Sequence, residues 1–123
     1  MKILLADDEM RLRKLVATQL NKEGHNIIEA GDGQEAFDCI ANEKPDLVVM
    51  DISMPKMDGL AVYSKVKSDN ELSGIPIIIL SAQSDEESLM KIKKLKVEHH
   101  LIKPFRLTLL IDKINSIIRD KSL

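Results

Sequence analysis

Five side chains could do chemistry together if the fold gathers them. Asp7 and Asp8 stand in "ADDE" (6–9), Asp51 closes "DLVVMD" (46–51), Ser81 follows "IPIIIL" (75–80), and Lys103 opens "KPF" (103–105). Each follows a short run, apolar in all but the last case, where a strand would end. Taken singly they say little: an aspartate at a strand end is usually a solvated cap, and "KP" is usually a turn. As a set, at the same end of four different strands, they describe a site. Burying an unpaired carboxylate is costly, and two carboxylates about 4 Å apart repel by about 4 kcal/mol at an effective dielectric of about 20. If the first and third strands are neighbours, Asp7, Asp8 and Asp51 converge, and the crevice needs a cation or a retained proton. A small set of hard oxygen donors suits Mg²⁺, which keeps several of its waters. Lys103 would add a fixed positive charge and Ser81 a hydroxyl donor. Such a combination favours a phosphoryl group on or beside a carboxylate.

The elements that must position these residues alternate along the chain. "KILLA" (2–6), "NIIEA" (26–30), "DLVVM" (46–50), "IPIIIL" (75–80) and "HHLI" (99–102) read as strands, with Pro76 in the first residues of the fourth. Between them run helical patterns. Leu12, Leu15, Val16 and Leu20 share one face, stopped by Gly24. Ala36, Phe37, Ile40 and Ala41 precede Pro45. A third helix follows Gly59, carrying Leu60, Val62 or Tyr63, and Val66. The fourth has Ser84 as its expected N-cap and Leu89, Ile92 and Leu95 inward. Leu107, Leu110, Ile111, Ile114, Ile117 and Ile118 stripe the fifth. Short strands apolar on both faces, alternating with helices, make a parallel sheet covered on both sides. The expectation is a doubly wound α/β domain spanning 1–123, with ligands outside the carboxyl ends of the strands.

Composition fits this reading. The 123 residues are 44% hydrophobic and 31% charged, with a formal net charge of -2, so no nucleic-acid-binding or polyacidic character stands out. Cys39 is the sole cysteine, which excludes an internal disulfide. No apolar run approaches the ~20 residues of a membrane span, and the N-terminal patch is too short for a signal-peptide core. A cytoplasmic protein without membrane or direct nucleic-acid contact is the expectation.

The joint pattern of "ADDE", "DISMPKMDG" (51–59), "SA" (81–82) and "KPF" resembles the response-regulator receiver domain, the phospho-acceptor half of two-component signalling. The resemblance runs from Met1 to about Ile118. It implies the flavodoxin-like strand order 2-1-3-4-5. It implies that Asp51 accepts a phosphoryl group from a sensor histidine kinase, a phosphotransfer protein or a small phosphodonor. Asp8 is then a direct Mg²⁺ ligand, Asp7 a ligand through water, and the Ser53 carbonyl completes the metal shell. Ser81 and Lys103 bond the phosphoryl oxygens, and the Lys103–Pro104 bond is often cis. Ser53 and Gln83 flank the path of attacking water. The readout is expected on the face of the fourth helix, fifth strand and fifth helix, with no enzymatic activity on a separate substrate and the effector unspecified.

Two positions depart from the family pattern. Lys96-Val97 stands where receivers commonly read Gly-Ala, and His100 where a Tyr or Phe is frequent, so the switch pair is Ser81 and His100. Adjacent strand residues His99 and His100 point to opposite faces and do not form a metal pair. Lys91, Lys93, Lys94 and Lys96 read as a solvated face, Met54 and Met57 as packing for the turn, Cys39 as a packed small residue, and Phe105 as an anchor for the last helix. Two rival classes remain. A phosphatase or phosphotransferase working through an aspartyl-phosphate would want an acid where Ser53 stands. A pure interaction module would not need the complete acidic set. Mg²⁺ binding and acetyl phosphate turnover separate the three.

Overall fold

A computed structural model describes the backbone of residues 1–122 and the side chains of 1–120, so Leu123 of the expected span lies outside the described residues. Strands and helices alternate as β1 (Lys2–Ala6), α1 (Met10–Lys22), β2 (Asn26–Ala30), α2 (Gly33–Glu43), β3 (Leu47–Asp51), α3 (Gly59–Lys67), β4 (Ile77–Ala82), α4 (Glu86–Lys94), β5 (His99–Lys103) and α5 (Leu107–Ser122). All strand pairs are parallel, in the order β2-β1-β3-β4-β5. This is the flavodoxin-like arrangement. β1 and β3 are direct neighbours, with Ala6 opposite Met50.

Strand alternation sorts the core into two layers. Leu4, Ala6, Val48, Met50, Ile77 and Ile79 face the layer of α2, α3 and α4. Ile3, Leu5, Leu47, Val49, Ile78 and Leu80 face α1 and α5. The same parity puts Asp7, Asp51 and Lys103 in phase with the α1/α5 layer, and Ser81 and His100 in phase with the other.

Aspartates start three of the helices. The side chains of Asp32, Asp58 and Asp85 accept hydrogen bonds from the backbone N–H groups of Glu35, Ala61 and Ser88. The cap of α4 is therefore Asp85 rather than the expected Ser84. A carboxylate beside two further acids, Glu86 and Glu87, suits the positive end of the helix better than a hydroxyl.

Three other local expectations differ. Leu15 is 57% exposed, because Val16, Ala17 and Leu20 already fill the buried arc of α1. Leu95 is the C-cap of α4 and exposed, leaving Ile92 buried and Leu89 partly so. β4 begins at Ile77 and reaches Ala82, so Pro76 precedes the strand; its carbonyl still accepts from Val48 N–H. The missing glycine before β5 is replaced by strain. Lys96 takes φ 56°, the left-handed turn that glycine would adopt at lower cost. Both candidates in α3, Val62 and Tyr63, are buried.

Candidate functional site: a carboxylate cluster at the strand ends

Asp7 follows the last residue of β1, and Asp51 is the last residue of β3. Both are nearly buried, at 4% and 6% exposure, while Asp8 is exposed. One carboxylate oxygen from each of the three lies within 4.8 Å of the others. Lys103, at the end of β5, reaches across β4. Its Nζ donates to Asp51 Oδ2 at 2.7 Å and to Asp7 Oδ2 at 3.4 Å. The remaining acceptors are partly engaged: Asp7 Oδ1 takes the Glu9 N–H at 2.9 Å, and Asp51 Oδ1 the Ser53 N–H at 3.3 Å. Lys103–Pro104 is cis, as the resemblance implies.

Burial is the largest influence on Asp51 and pushes its carboxyl above the usual range, with Asp7 adding repulsion and the Lys103 ammonium opposing both. For Lys103, burial alone would favour the neutral amine. Asp51 and Asp7 together outweigh it and hold the ammonium above its ordinary value. The donor set fits Mg²⁺: hard oxygens, repelling one another, two of them buried and one open to water. Asp7, Asp8 and Asp51 are the side chains that could hold such an ion, with the Ser53 backbone beside Asp51.

The loop after Asp51 is tightly shaped. The Gly59 N–H donates to Ile52 O, and a Cβ on Gly59 would strike the Asp51 carbonyl. Met54 is buried and Met57 partly so, which packs the turn. Phe105 packs in the α1/α5 layer, and Cys39 against the opposite core.

Ser81 is buried at 1% exposure. Its hydroxyl is bound not to the acids but to His100, with Oγ and Nε2 2.7 Å apart in a hydrogen bond whose donor depends on the imidazole tautomer. Burial, then the Lys113 charge, lowers the His100 pKa. Gln83 is exposed at the rim. The histidines form no metal cluster among the described residues.

Sequence patterning missed Arg13. Its Nε donates to Glu29 Oε1 at 2.9 Å, and its Nη1 to the Asp7 carbonyl at 2.6 Å. A signal was present in "NIIEA": a carboxylate inside a half-buried strand calls for a cationic partner.

A crevice of acids and one lysine at the carboxyl ends of a 2-1-3-4-5 parallel sheet defines a class, the signalling receivers of two-component systems. The chain belongs to the response regulator receiver domain family, whose model matches residues 3–115. It is 38% identical over 119 residues to response regulator RR06 of Streptococcus pneumoniae, covering 97% of this chain and 54% of that protein. It is 33% identical over 121 residues to sporulation initiation phosphotransferase F of Bacillus subtilis, covering 98% and 96%. Among solved structures, the receiver domain of Francisella response regulator 1452 superposes with a TM-score of 0.86 at 29% identity, covering 98% of both chains. The chain spans about half the length of several relatives it matches, such as a probable transcriptional regulator of Porphyridium aerugineum, of which it covers 48%. Among the described residues, no helix is long and apolar enough to cross a membrane.

Proposed function

We propose that residues 1–123 act as one phosphorylation-controlled switch in which Asp51 is the acceptor. The observation that carries this reading is the cluster itself: three carboxylates within 4.8 Å, with Lys103 bonded to Asp51 at 2.7 Å. In transfer from a phosphohistidine, the N–P bond breaks and an Asp51 Oδ–P bond forms, and the released imidazole nitrogen takes a proton. From a small phosphodonor such as acetyl phosphate, the leaving group is its carboxylate.

Asp7, Asp8, Asp51 and the Ser53 carbonyl would hold Mg²⁺. When bound, the metal neutralises charge on the transferring phosphoryl oxygens. The chain supplies the rest. The end of β3 holds Asp51 at one orientation. Burial raises the energy of its ionised form, and Lys103 stabilises the anion that attacks. After transfer, Lys103 and Ser81 are the donors for the phosphoryl oxygens.

Ser81 must then redirect its hydroxyl, which changes its bond to His100. The change passes to the face of α4, β5 and α5. This is regulation by a covalent mark on the chain rather than turnover of a separate substrate. The donor in this reading is a sensor histidine kinase or phosphotransfer protein in the cytoplasm; the downstream effector is unspecified, and this domain makes no direct contact with nucleic acid.

The test is incubation with acetyl phosphate and Mg²⁺, followed by intact mass. One acid-stable, base-labile phosphoryl adduct is expected, absent without the metal and absent in Asp51→Asn. An adduct yield unchanged in that variant would refute the assignment.

A further inference from the structure

We infer that Arg13 is a positioning residue for the metal ligands, acting through the peptide group that joins Asp7 to Asp8. The inference rests on the reading of Asp7 and Asp8 as ligands, and it adds a residue that lies outside the acid cluster.

The carbonyl of Asp7 belongs to the peptide plane between the two aspartates. Rotating that plane swings both Cα–Cβ directions relative to each other, so fixing it sets the spacing of the two carboxylates. Arg13 Nη1 donates to this carbonyl at 2.6 Å and approaches Ala30 O at 3.4 Å. The same Ala30 carbonyl accepts the Asp7 N–H at 3.1 Å, so both sides of Asp7 are tied to the end of β2. The guanidinium is itself aimed. Its Nε donates to Glu29 Oε1 at 2.9 Å, while Lys14 holds the other oxygen, Oε2, at 2.9 Å.

Space is provided for it. A Cβ on Gly31 would sit 3.2 Å from Nη1, closer than ordinary contact. The Arg13 side chain is only 13% exposed, so this is not a solvent-screened surface pair. A planar fork with fixed donors can serve a carboxylate and a carbonyl at once, which a lysine ammonium cannot do in the same geometry.

Charge and position make opposite demands, and this gives the test its edge. A cation near an Mg²⁺ site weakens metal binding by repulsion, so removing Arg13 would tighten binding if charge were all that mattered. If Arg13 positions the ligands, removing it loosens them and binding weakens.

The experiment is Mg²⁺ titration by calorimetry of the full chain, below the thermal transition of every variant, with amide exchange of Asp8 and Glu9 followed by NMR. Arg13→Met should weaken Mg²⁺ at least threefold and speed exchange at both amides. Arg13→Lys should fall between it and the wild type. Lys14→Met, which removes a neighbouring charge from the same glutamate, should leave affinity within a factor of about two. Affinity unchanged or tighter in Arg13→Met overturns the inference, as does an equal loss in Lys14→Met. If Arg13→Met does not fold, the Arg13→Lys affinity decides by the same rule. A wild type that binds no Mg²⁺ would instead overturn the function on which this rests.

Discussion

The two halves of the site are built differently. Asp7 follows and Asp51 ends the central strands β1 and β3, each paired on both sides. Their side chains are held by Lys103 and by the backbone N–H groups of Glu9 and Ser53. Ser81 and His100 face the other layer. They depend on a single mutual hydrogen bond, and His100 lies on β5 at the sheet edge. The helices beside the two halves differ as well. On the acid side, α5 buries Leu110, Ile114 and Ile117, while on the switch side α4 buries only Ile92 and leaves Met90 74% exposed. Elements with little buried apolar area open at low free-energy cost. In the proposed reading, the acceptor Asp51 ends a central strand that is hard to deform, and the Ser81–His100 pair lies beside α4, which opens at lower cost.

The sharpest way to break this contrast is to remove the ammonium from the acid half. Lys103→Met leaves the buried Asp7 and Asp51 carboxylates facing each other without their cation. Stability without metal should fall by about 2 kcal/mol at pH 7, toward the low end for a broken ion pair because Lys103 is partly exposed. The loss should be smaller at mildly acid pH than at pH 7, because burial raises the Asp51 pKa and lets that carboxyl take a proton sooner than a free aspartate would. The sign follows from linkage: a carboxyl whose folded pKa is raised gives its stability below the unfolded value and loses it as pH rises through the folded one. Urea unfolding followed by circular dichroism at both pH values measures it, and an equal loss at both would argue against the repulsion.

A smaller effect separates ligation from folding. Asp8 is exposed, so Asp8→Ala should hardly disturb packing. It should weaken Mg²⁺ at least tenfold, about 1.4 kcal/mol, while the metal-free melting temperature holds or rises because one like charge has gone. Wild-type Mg²⁺ affinity in that variant would remove Asp8 from the ligand set.

The smallest effect probes the switch half. Burial lowers the His100 pKa, so the fold favours the neutral ring. A histidine with a depressed folded pKa contributes stability above about 6.5, its unfolded value, and loses it as pH falls through the folded one. In the proposed switch, Ser81 turns to a phosphoryl group, and the imidazole would then move into the vacated space and be buried further. With beryllofluoride as an acyl-phosphate mimic, the active-like population seen by NMR at α4 and β5 should rise between pH 5.5 and 7.5. His100→Tyr should flatten that profile. Identical profiles in the two proteins would leave Ser81 as the switch without His100.

Much of this was legible in the chain. Runs such as "DLVVM" and the α5 stripe named their elements because a buried strand or helix face must be continuously apolar, and the end of each strand named a candidate residue. Apart from Arg13, the misses are local. Leu15 fits the helical period but lies at the margin of an arc already filled by Val16, Ala17 and Leu20, and Leu95 falls at the end of its helix as the C-cap. Asp85 displaced Ser84 as a cap because adjacent residues of similar chemistry compete for one position, and the backbone decides between them.

What the sequence determined by itself is the set of parts: five strands, five helices, and an acid, hydroxyl or lysine at strand ends. These follow from hydrophobic period and the cost of burying charge, both local properties of the chain. Only the tertiary structure decided which parts meet. Strand order brought Asp51 beside Asp7 and carried Lys103 across β4 to both. Strand parity gave the Ser81 hydroxyl to His100 instead of the acids, and β2 supplied Glu29 to aim Arg13 at the Asp7 carbonyl. Those contacts join residues distant along the chain, and no local pattern encodes them.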